Sequence, residues 1–298
     1  MLKRSENSQY LLVTVLNVLV TVIEFVGGFA SGSLALLSDA FHNLGDVGAI
    51  SLSLVAHLIS RRKRNGNKTF GYERAETLAA FTNSILLIAI SLGLLVEASK
   101  RLLAPEPVHG QTMLVLALVG LITNFLSMAI MLKGQGANLN RRATFLHMLG
   151  DALASIVVVL GGLVLSHFPI WWLDPVLTLL LSVFMIMEAA RIIYRAIDVL
   201  MESNPDVDLA TVHRLILSFP QVKNVHHVHL WRYSDRVIML DAHINVVDAQ
   251  MPVAVLERLY SQIGDCLKRE LSINHVTLQA EYNRGKNEQM IVPQGTEE

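Results

Sequence analysis

The sequence predicts six transmembrane α-helices followed by a small water-soluble domain of mixed helix and strand. Of its 298 residues, 52% are hydrophobic and only 16% are charged, whereas soluble chains are about 25% charged. Six apolar segments reach the length of about 20 residues that a bilayer requires. After Leu200 the hydropathy falls and the spacing of the apolar residues changes. A net charge of −1 gives no sign of a nucleic-acid partner.

The predicted spans share long apolar runs bounded by glycine, proline or charged residues, and they cover residues 10–30, 33–60, 77–103, 112–132, 144–168 and 173–200. Lysine and arginine concentrate before the first span and in the connections after the second and fourth spans. Because cytoplasmic loops carry an excess of these residues, we expect both termini to be cytoplasmic. Residues 1–204 are thus predicted to form the transmembrane domain.

The soluble part alternates between helical and strand patterns. Apolar residues have helical spacing in 206–219 and 253–267 and strand-like spacing in 222–233, 236–247 and 273–282. The order αββαβ is typical of a small ferredoxin-like α+β sandwich. We therefore expect a cytoplasmic domain over 205–283, with a polar, disordered tail over 284–298. Cys266 is the single cysteine, which excludes a disulfide framework and a thiolate metal cluster.

Two spans carry the same pattern, H-x-L-G-D, once from His42 to Asp46 and once from His147 to Asp151. Residues four apart share a helix face, so each copy presents one imidazole and one carboxylate together. If the two helices pack against each other, the four groups form a zinc-type site. The alternative is that each pair only stabilises its own helix, but ionisable groups inside a membrane indicate function by default.

Other polar residues also lie within the predicted spans. Asp39 lies two turns before Asp46 on the same face, and it is either a proton or exit-path group or a hydrogen-bond partner of a neighbouring helix. Asn43, Asn83 and Asn124 are expected to form hydrogen bonds between helices.

Several motifs together resemble the cation diffusion facilitator family of proton-coupled zinc exporters: SDAFHN at 38–43, FGYERAE at 70–76, HMLGDAL at 147–153, Asp174-Pro175 and VHHVHLW at 225–231. The resemblance covers nearly the whole chain. A histidine at position 42 resembles the zinc-preferring branch. Many relatives in eukaryotes carry a histidine-rich loop between spans four and five. Residues 133–142 contain no histidine, which favours a bacterial inner-membrane protein.

The resemblance implies a homodimer in which His42, Asp46, His147 and Asp151 form the transport site. Zinc is the implied substrate, with cadmium or other divalent transition metals as further candidates, and no organic cofactor is expected. Metal and protons compete for imidazole and carboxylate groups, so His42, His147 and Asp39 are the candidates for the proton path.

Further residues are assigned in the cytoplasmic domain. The resemblance implies a regulatory zinc site formed by His226, His243 and His275, with Glu281 as an additional ligand. Strand alternation predicts that His227 and His229 share one face and that His226 points to the opposite face.

The resemblance also pairs Arg74 with Glu202 as an interlock at the junction between the membrane and cytoplasmic parts. The alternative is two unrelated interfacial charges.

The sequence bears on three functional classes. An intramembrane metalloprotease requires H-E-x-x-H, and the sequence contains no such string, so the protein is not expected to be an enzyme. A divalent-metal channel or a membrane metal sensor without proton exchange remains the alternative to an antiporter.

Overall fold

The computed structural model describes residues 2–132, 139–234, 236–285, 290 and 291, with side chains described from residue 12 to 130 and from 148 onward within these ranges. Six long helices lie in the first two thirds of the chain: α1 (Leu2–Ser31), α2 (Leu34–Ser60), α3 (Ala75–Leu103), α4 (Gly110–Leu132), α5 (Leu139–His167) and α6 (Leu173–Leu200). Each contains an apolar stretch of at least 20 residues, enough to cross a bilayer. The predicted six-helix membrane domain is therefore confirmed; α1 and α5 begin eight and five residues before their predicted spans, and every other helix end lies within two residues of its prediction.

The chain divides into two compact units, Met1–Arg62 with Leu78–Ile193 and Lys63–Thr77 with Tyr194–Glu298. We call them the membrane unit and the cytoplasmic unit. The connection between α2 and α3 belongs to the cytoplasmic unit, although it is distant in sequence from the rest of that unit.

In the membrane unit, the start of α2 is fixed by a buried carboxylate on α6. Asp174 accepts hydrogen bonds from the Ser33 hydroxyl at 2.5 Å and from the backbone N–H groups of Leu34 at 2.9 Å and Ala35 at 3.2 Å. The first N–H groups of a helix have no partner within the helix, and a negative charge at this end is favourable. Ser33 itself caps the helix by accepting from the Leu36 N–H.

Small residues let the helices of the membrane unit approach closely. A Cβ atom at Gly162 of α5 would lie 2.9 Å from the Leu114 Cα of α4, so these backbones meet directly. Gly45 of α2 lies against the Leu87 side chain of α3, which occupies the space that a Cβ atom would need. Large apolar side chains such as Phe29 and Leu103 are exposed, as expected for helices that face lipid.

The cytoplasmic unit contains α7 (Leu209–Leu217), β1 (Val222–Ser234), β2 (Val237–Val246), α8 (Val253–Leu271) and β3 (His275–Glu281). Strand β2 pairs antiparallel with β1 and parallel with β3. The core joins the apolar sides of the helices and sheet and includes Val212, Ile216, Leu240, Ile244, Leu259, Ile263 and Leu267. The predicted αββαβ domain is thus confirmed.

A β-bulge interrupts the pairing of β1 with β2. His226 pairs with His243 and His229 pairs with Asp241, so three steps along β1 match two steps along β2. His227, inside the bulge, has a φ of 49°, which is unfavourable for a residue with a side chain. Because the bulge shifts the alternation by one residue, His226 lies on the same sheet face as His229. The expectation that His226 points to the opposite face was therefore wrong.

Part of the predicted tail, 286–289 and 292–298, lies outside the described residues. Met290 is described, and its carbonyl accepts a hydrogen bond from the Val228 N–H at 2.7 Å. Its side chain also packs against the core of the cytoplasmic unit.

Candidate metal centres

Helices α2 and α5 bring the histidine of one H-x-L-G-D copy to the aspartate of the other. His42 Nε2 lies 3.0 Å from Asp151 Oδ1 and 3.9 Å from Asp46 Oδ2. Ligand atoms of a tetrahedral zinc ion with bonds of about 2.0–2.2 Å are about 3.3–3.6 Å apart. The observed spacings lie on either side of this range, so a small shift would let one ion contact all three side chains.

The fourth predicted transport-site residue is His147. It belongs to α5, one helical turn before Asp151, but its side chain lies outside the described part of the structure. The structure therefore brings together three of the four predicted residues.

The walls around His42 are mainly apolar. A small cavity beside it is lined by Ser38, Asp39, Ala154, Leu181, Phe184 and Met185. The His42 side chain is 10% exposed and that of Asp151 is 14% exposed. Electrostatic interactions are strong in such an environment because little water screens them, which favours tight holding of a cation between carboxylates.

Asp39 is hydrogen-bonded to a neighbouring helix. Its Oδ2 accepts from the Ser155 hydroxyl of α5 at 3.0 Å, and Ser155 in turn accepts from Asn124 Nδ2 of α4 at 2.9 Å. Of the two roles expected for Asp39, the structure therefore shows that of a hydrogen-bond partner of a neighbouring helix. The chain of hydrogen bonds ties α2 to α5 close to the candidate site.

Sequence reasoning missed Glu24, a fully buried carboxylate on α1. Its Oε2 accepts a hydrogen bond of 2.7 Å from Asn43 Nδ2, next in sequence to His42. Its Oε1 faces Gly120 of α4 and has no hydrogen-bond partner among the described atoms. A single carboxylate in an otherwise apolar span is a recognisable signal of function, and it could have been found from the sequence.

Asn43, Asn83 and Asn124 make hydrogen bonds between helices, as expected. Besides the bonds of Asn43 and Asn124, Asn83 Nδ2 of α3 donates to the Gly45 carbonyl of α2 at 3.2 Å. These bonds fix the rotation of α2 and α5 around the candidate site.

A second group of metal-binding side chains lies on the sheet of the cytoplasmic unit. Glu281 Oε2 lies 3.2 Å from His226 Nε2, and Glu281 Oε1 lies 3.3 Å from His243 Nδ1. The side chains of His226 and Glu281 are 1% and 5% exposed. Two imidazoles and one carboxylate can supply three ligands to zinc and leave a fourth position open.

The environment of His243 favours the form that binds metal. Partial burial lowers the pKa of His243, and the neighbouring His227 and His226 lower it further, against the opposing effect of Glu281. The imidazole is therefore more often neutral than a free one, and only a neutral imidazole can ligate a metal ion.

His275 does not belong to this group within one protomer. It is exposed at the start of β3, opposite Met239, whereas Gln279 lies opposite His243. The six residue steps from His275 to Glu281 span about 20 Å of strand. Within one protomer, the parallel register of β3 therefore carries the His275 side chain away from the other three predicted ligands, and His275 as a ligand stays a prediction.

Arg74 and Glu202 form an ion pair within the cytoplasmic unit. Arg74 donates to Glu202 Oε1 at 2.8 Å and to the Tyr233 carbonyl at 3.4 Å, and its guanidinium lies 5.0 Å from the Tyr233 ring centre. Nearby, the Ser234 hydroxyl donates to Glu73 Oε2 at 2.9 Å. These hydrogen bonds and the ion pair link the connection between α2 and α3 to the end of β1 and to the segment after α6.

Nearly the whole chain is similar in sequence to known proteins. Residues 10–201 match the model for the cation efflux transmembrane domain, and residues 204–283 match that for the cation efflux protein cytoplasmic domain. The chain is 38% identical to the zinc transporter ZitB of Escherichia coli over 88% of this chain and 83% of the relative. It is 34% identical to the cadmium, cobalt and zinc/H(+)-K(+) antiporter of Bacillus subtilis, over 92% and 88% of the two chains. It is 35% identical to the metal cation efflux system protein CzcD of Cupriavidus metallidurans, over 87% and 82%. With six membrane-spanning helices and matches to both domains, this chain is an integral membrane protein of the cation diffusion facilitator family, a metal-cation efflux transporter rather than an enzyme.

Proposed function

We propose that this protein exports zinc from the cytoplasm in exchange for protons, by alternating access around a site formed by His42, Asp46, His147 and Asp151. The observation that carries the proposal is the distance of 3.0 Å between His42 Nε2 and Asp151 Oδ1, which joins the two H-x-L-G-D copies across α2 and α5. A single ion held there contacts both helices.

The chemistry of the four groups supports exchange. Two ionised carboxylates and two neutral imidazoles balance the charge of a zinc ion, which lowers the cost of holding it within the bilayer. When zinc leaves, the same groups bind protons, because histidine titrates near neutral pH. If the metal-loaded and protonated forms favour opposite openings, the outward step of zinc is coupled to the inward step of protons.

The choice of zinc rests on the ligand types and on the relatives. Imidazole and carboxylate ligands in tetrahedral arrangement suit zinc, and the name of the Escherichia coli relative specifies zinc. The Bacillus subtilis relative is named for cadmium and cobalt as well, so these ions are secondary candidates for export.

We further propose a homodimer in the bacterial inner membrane with both termini in the cytoplasm. The orientation rests on the excess of lysine and arginine in the connections assigned to the inner side. Residues 1–204 would form the transport domain and residues 205–283 the regulatory domain.

The proposal is tested by recording zinc and proton movement together in vesicles that contain the purified protein and dyes for zinc and pH. An antiporter moves protons out of the vesicle as zinc enters, and an imposed proton gradient drives zinc uptake. Zinc flux that is unaffected by the proton gradient and moves no protons would instead identify the alternative, a channel. Zinc binding without flux would identify a sensor.

The triad of His226, His243 and Glu281 is proposed as a regulatory zinc site. We expect Glu281→Gln to weaken zinc binding to the full-length protein at this site by at least tenfold, since outer-sphere changes alone cost 10–100-fold in affinity. Zinc titration with a competing chelator measures the change. The matched control is Glu270→Gln, which changes an exposed glutamate on α8. This variant should bind zinc with the affinity of the parent protein. Equal affinity in Glu281→Gln and the parent would remove Glu281 from the site.

The pair of Arg74 and Glu202 is proposed as an interlock for transport. Because both side chains are partly exposed, the pair contributes at most about 1 kcal/mol. We therefore expect Arg74→Glu to slow zinc transport a few-fold and the added change Glu202→Arg to restore part of the rate. Transport rates of the two single variants and the double variant form the cycle that measures the coupling. Lys63→Glu, on the same exposed connection, serves as the control for charge reversal. If the double variant transports zinc no faster than Arg74→Glu alone, the interlock is contradicted.

A further inference from the structure

Two histidines of β1 remain outside both candidate metal centres. His227 Nε2 and His229 Nε2 lie 3.2 Å apart, with ring centres separated by 4.8 Å and ring planes at 83°. Two imidazole ligands of one tetrahedral zinc ion, with bonds of about 2.0–2.1 Å, place their nitrogens about 3.3–3.4 Å apart. The nitrogens of this pair already have nearly that spacing.

We propose that His227 and His229 hold a divalent transition metal ion of the class that imidazole prefers, such as zinc, nickel or copper(II), at a second cytoplasmic metal site. Water completes the coordination, because His229 is exposed to solvent. This site is distinct from the buried triad, which uses His226, His243 and Glu281. Its metal binding does not depend on the transport mechanism proposed above.

The bulge in β1 creates the pair. In a regular strand, residues two apart point the same way but are separated by more than 6 Å along the strand. The left-handed backbone at His227, with a φ of 49°, tilts this residue so that both Nε2 atoms converge. A residue with a side chain adopts this conformation at a cost, and such strain often marks a functional position. Alternation alone would not have brought the two nitrogens together.

The position of the pair relative to the triad suggests a path for metal. His227 stacks on His243 with 4.6 Å between ring centres and 18° between planes. Exposure decreases from His229, which is exposed, through His243 at 27% to His226 at 1%. A metal ion that reaches this face from solvent therefore meets the exposed pair before the buried triad.

An acidic residue adds to the attraction of the exposed pair for cations. Asp241 of β2 lies directly opposite His229 in the register, and paired residues on one sheet face have their Cβ atoms about 4.5–5.5 Å apart. Asp241, Glu202 and His229 together line one cavity of the cytoplasmic unit. A nearby carboxylate favours metal binding to imidazole by partly neutralising the added charge.

The first test is zinc binding to the purified full-length protein over a series of buffered free zinc concentrations. We expect His229→Gln to bind one zinc equivalent fewer per chain than the parent. The affinity of the tighter cytoplasmic site, the triad of His226, His243 and Glu281, should be unchanged. His213→Gln, which removes a histidine from α7, is the matched control and should bind like the parent. A binding curve of His229→Gln that coincides with the parent curve would overturn the proposal. Loss of the tighter cytoplasmic equivalent as well would also overturn it, because His229 would then belong to the triad.

The second test distinguishes the exposed pair from buried histidines without relying on zinc affinity. The probe is copper(II) bound to iminodiacetate, which leaves positions for two imidazoles and is too bulky to enter the buried triad. We expect electron paramagnetic resonance to detect copper coordinated by two imidazole nitrogens in the parent and in His213→Gln, and by no more than one in His229→Gln. An unchanged thermal unfolding temperature establishes that the variant is folded. Equal copper signals in His229→Gln and the parent would contradict the site.

Discussion

Replacement of Asp151 by asparagine is expected to reduce the rate of zinc transport by more than about 100-fold. Even changes outside the ligand set of a metal site cost 10–100-fold in affinity or activity, and Asp151 is a proposed ligand itself. The change also removes one negative charge that offsets the charge of the ion inside the membrane, while it preserves the size of the side chain. Zinc uptake by vesicles under a fixed proton gradient measures the effect.

The control for this variant is Glu97→Gln, which makes the same change from carboxylate to amide elsewhere on the membrane unit. Among the described residues, Glu97 forms ion pairs with Lys100 and Arg101, and its side chain is 43% exposed. We expect transport within about twofold of the parent, because such exposed pairs contribute little. Asp151→Asn protein that is correctly folded and transports zinc at the parent rate would remove Asp151 from the transport site.

Replacement of Asp174 by alanine is expected to destabilise the membrane unit by roughly 3 kcal/mol or more. The carboxylate of this fully buried residue accepts three hydrogen bonds from the start of α2. Each hydrogen bond to a charged group contributes about 1.5–3 kcal/mol, and its loss leaves buried donors without a partner. Thermal unfolding of the protein in lipid nanodiscs should show a decrease of several degrees.

The conservative variant Asp174→Asn separates hydrogen bonding from packing. Its amide oxygen can accept from one or two of the same donors, so we expect an unfolding temperature between those of Asp174→Ala and the parent. Because α2 carries His42 and Asp46, we also expect slower zinc transport in Asp174→Ala. Identical unfolding temperatures for all three proteins would show that this contact does not determine the position of α2.

The spans and the shared helix face of His42 and Asp46 were predictable because local periodicity determines them. Residues four apart on a helix share a face, so the pairing of His42 with Asp46 needs no tertiary information. The approach of His42 to Asp151 was only a hypothesis from the repeated pattern, since no local rule fixes which helices pack together. It depends on contacts distant in sequence, such as that of Ser155 with Asp39.

The candidate cytoplasmic site was less predictable because a β-bulge and a strand register determine which side chains meet there. One extra residue in β1 reverses the side chain alternation after His226. The parallel pairing of β3 brings Gln279, rather than His275, opposite His243. Neither feature has a signal in the spacing of apolar residues. Glu24 was missed for a different reason. Its carboxylate is evident in the apolar sequence of α1, but the prediction of a site relied on the repeated H-x-L-G-D pattern, which occurs only in α2 and α5.

The most direct test of the transport site is to locate the metal in the zinc-loaded full-length protein in a lipid bilayer, by electron cryo-microscopy or anomalous X-ray scattering. We predict one zinc ion between α2 and α5, about 2.0–2.2 Å from ligand atoms of His42, Asp46, His147 and Asp151. A zinc-loaded protein in which these four side chains face lipid, or are too far apart to contact one ion, would contradict the proposed transport site.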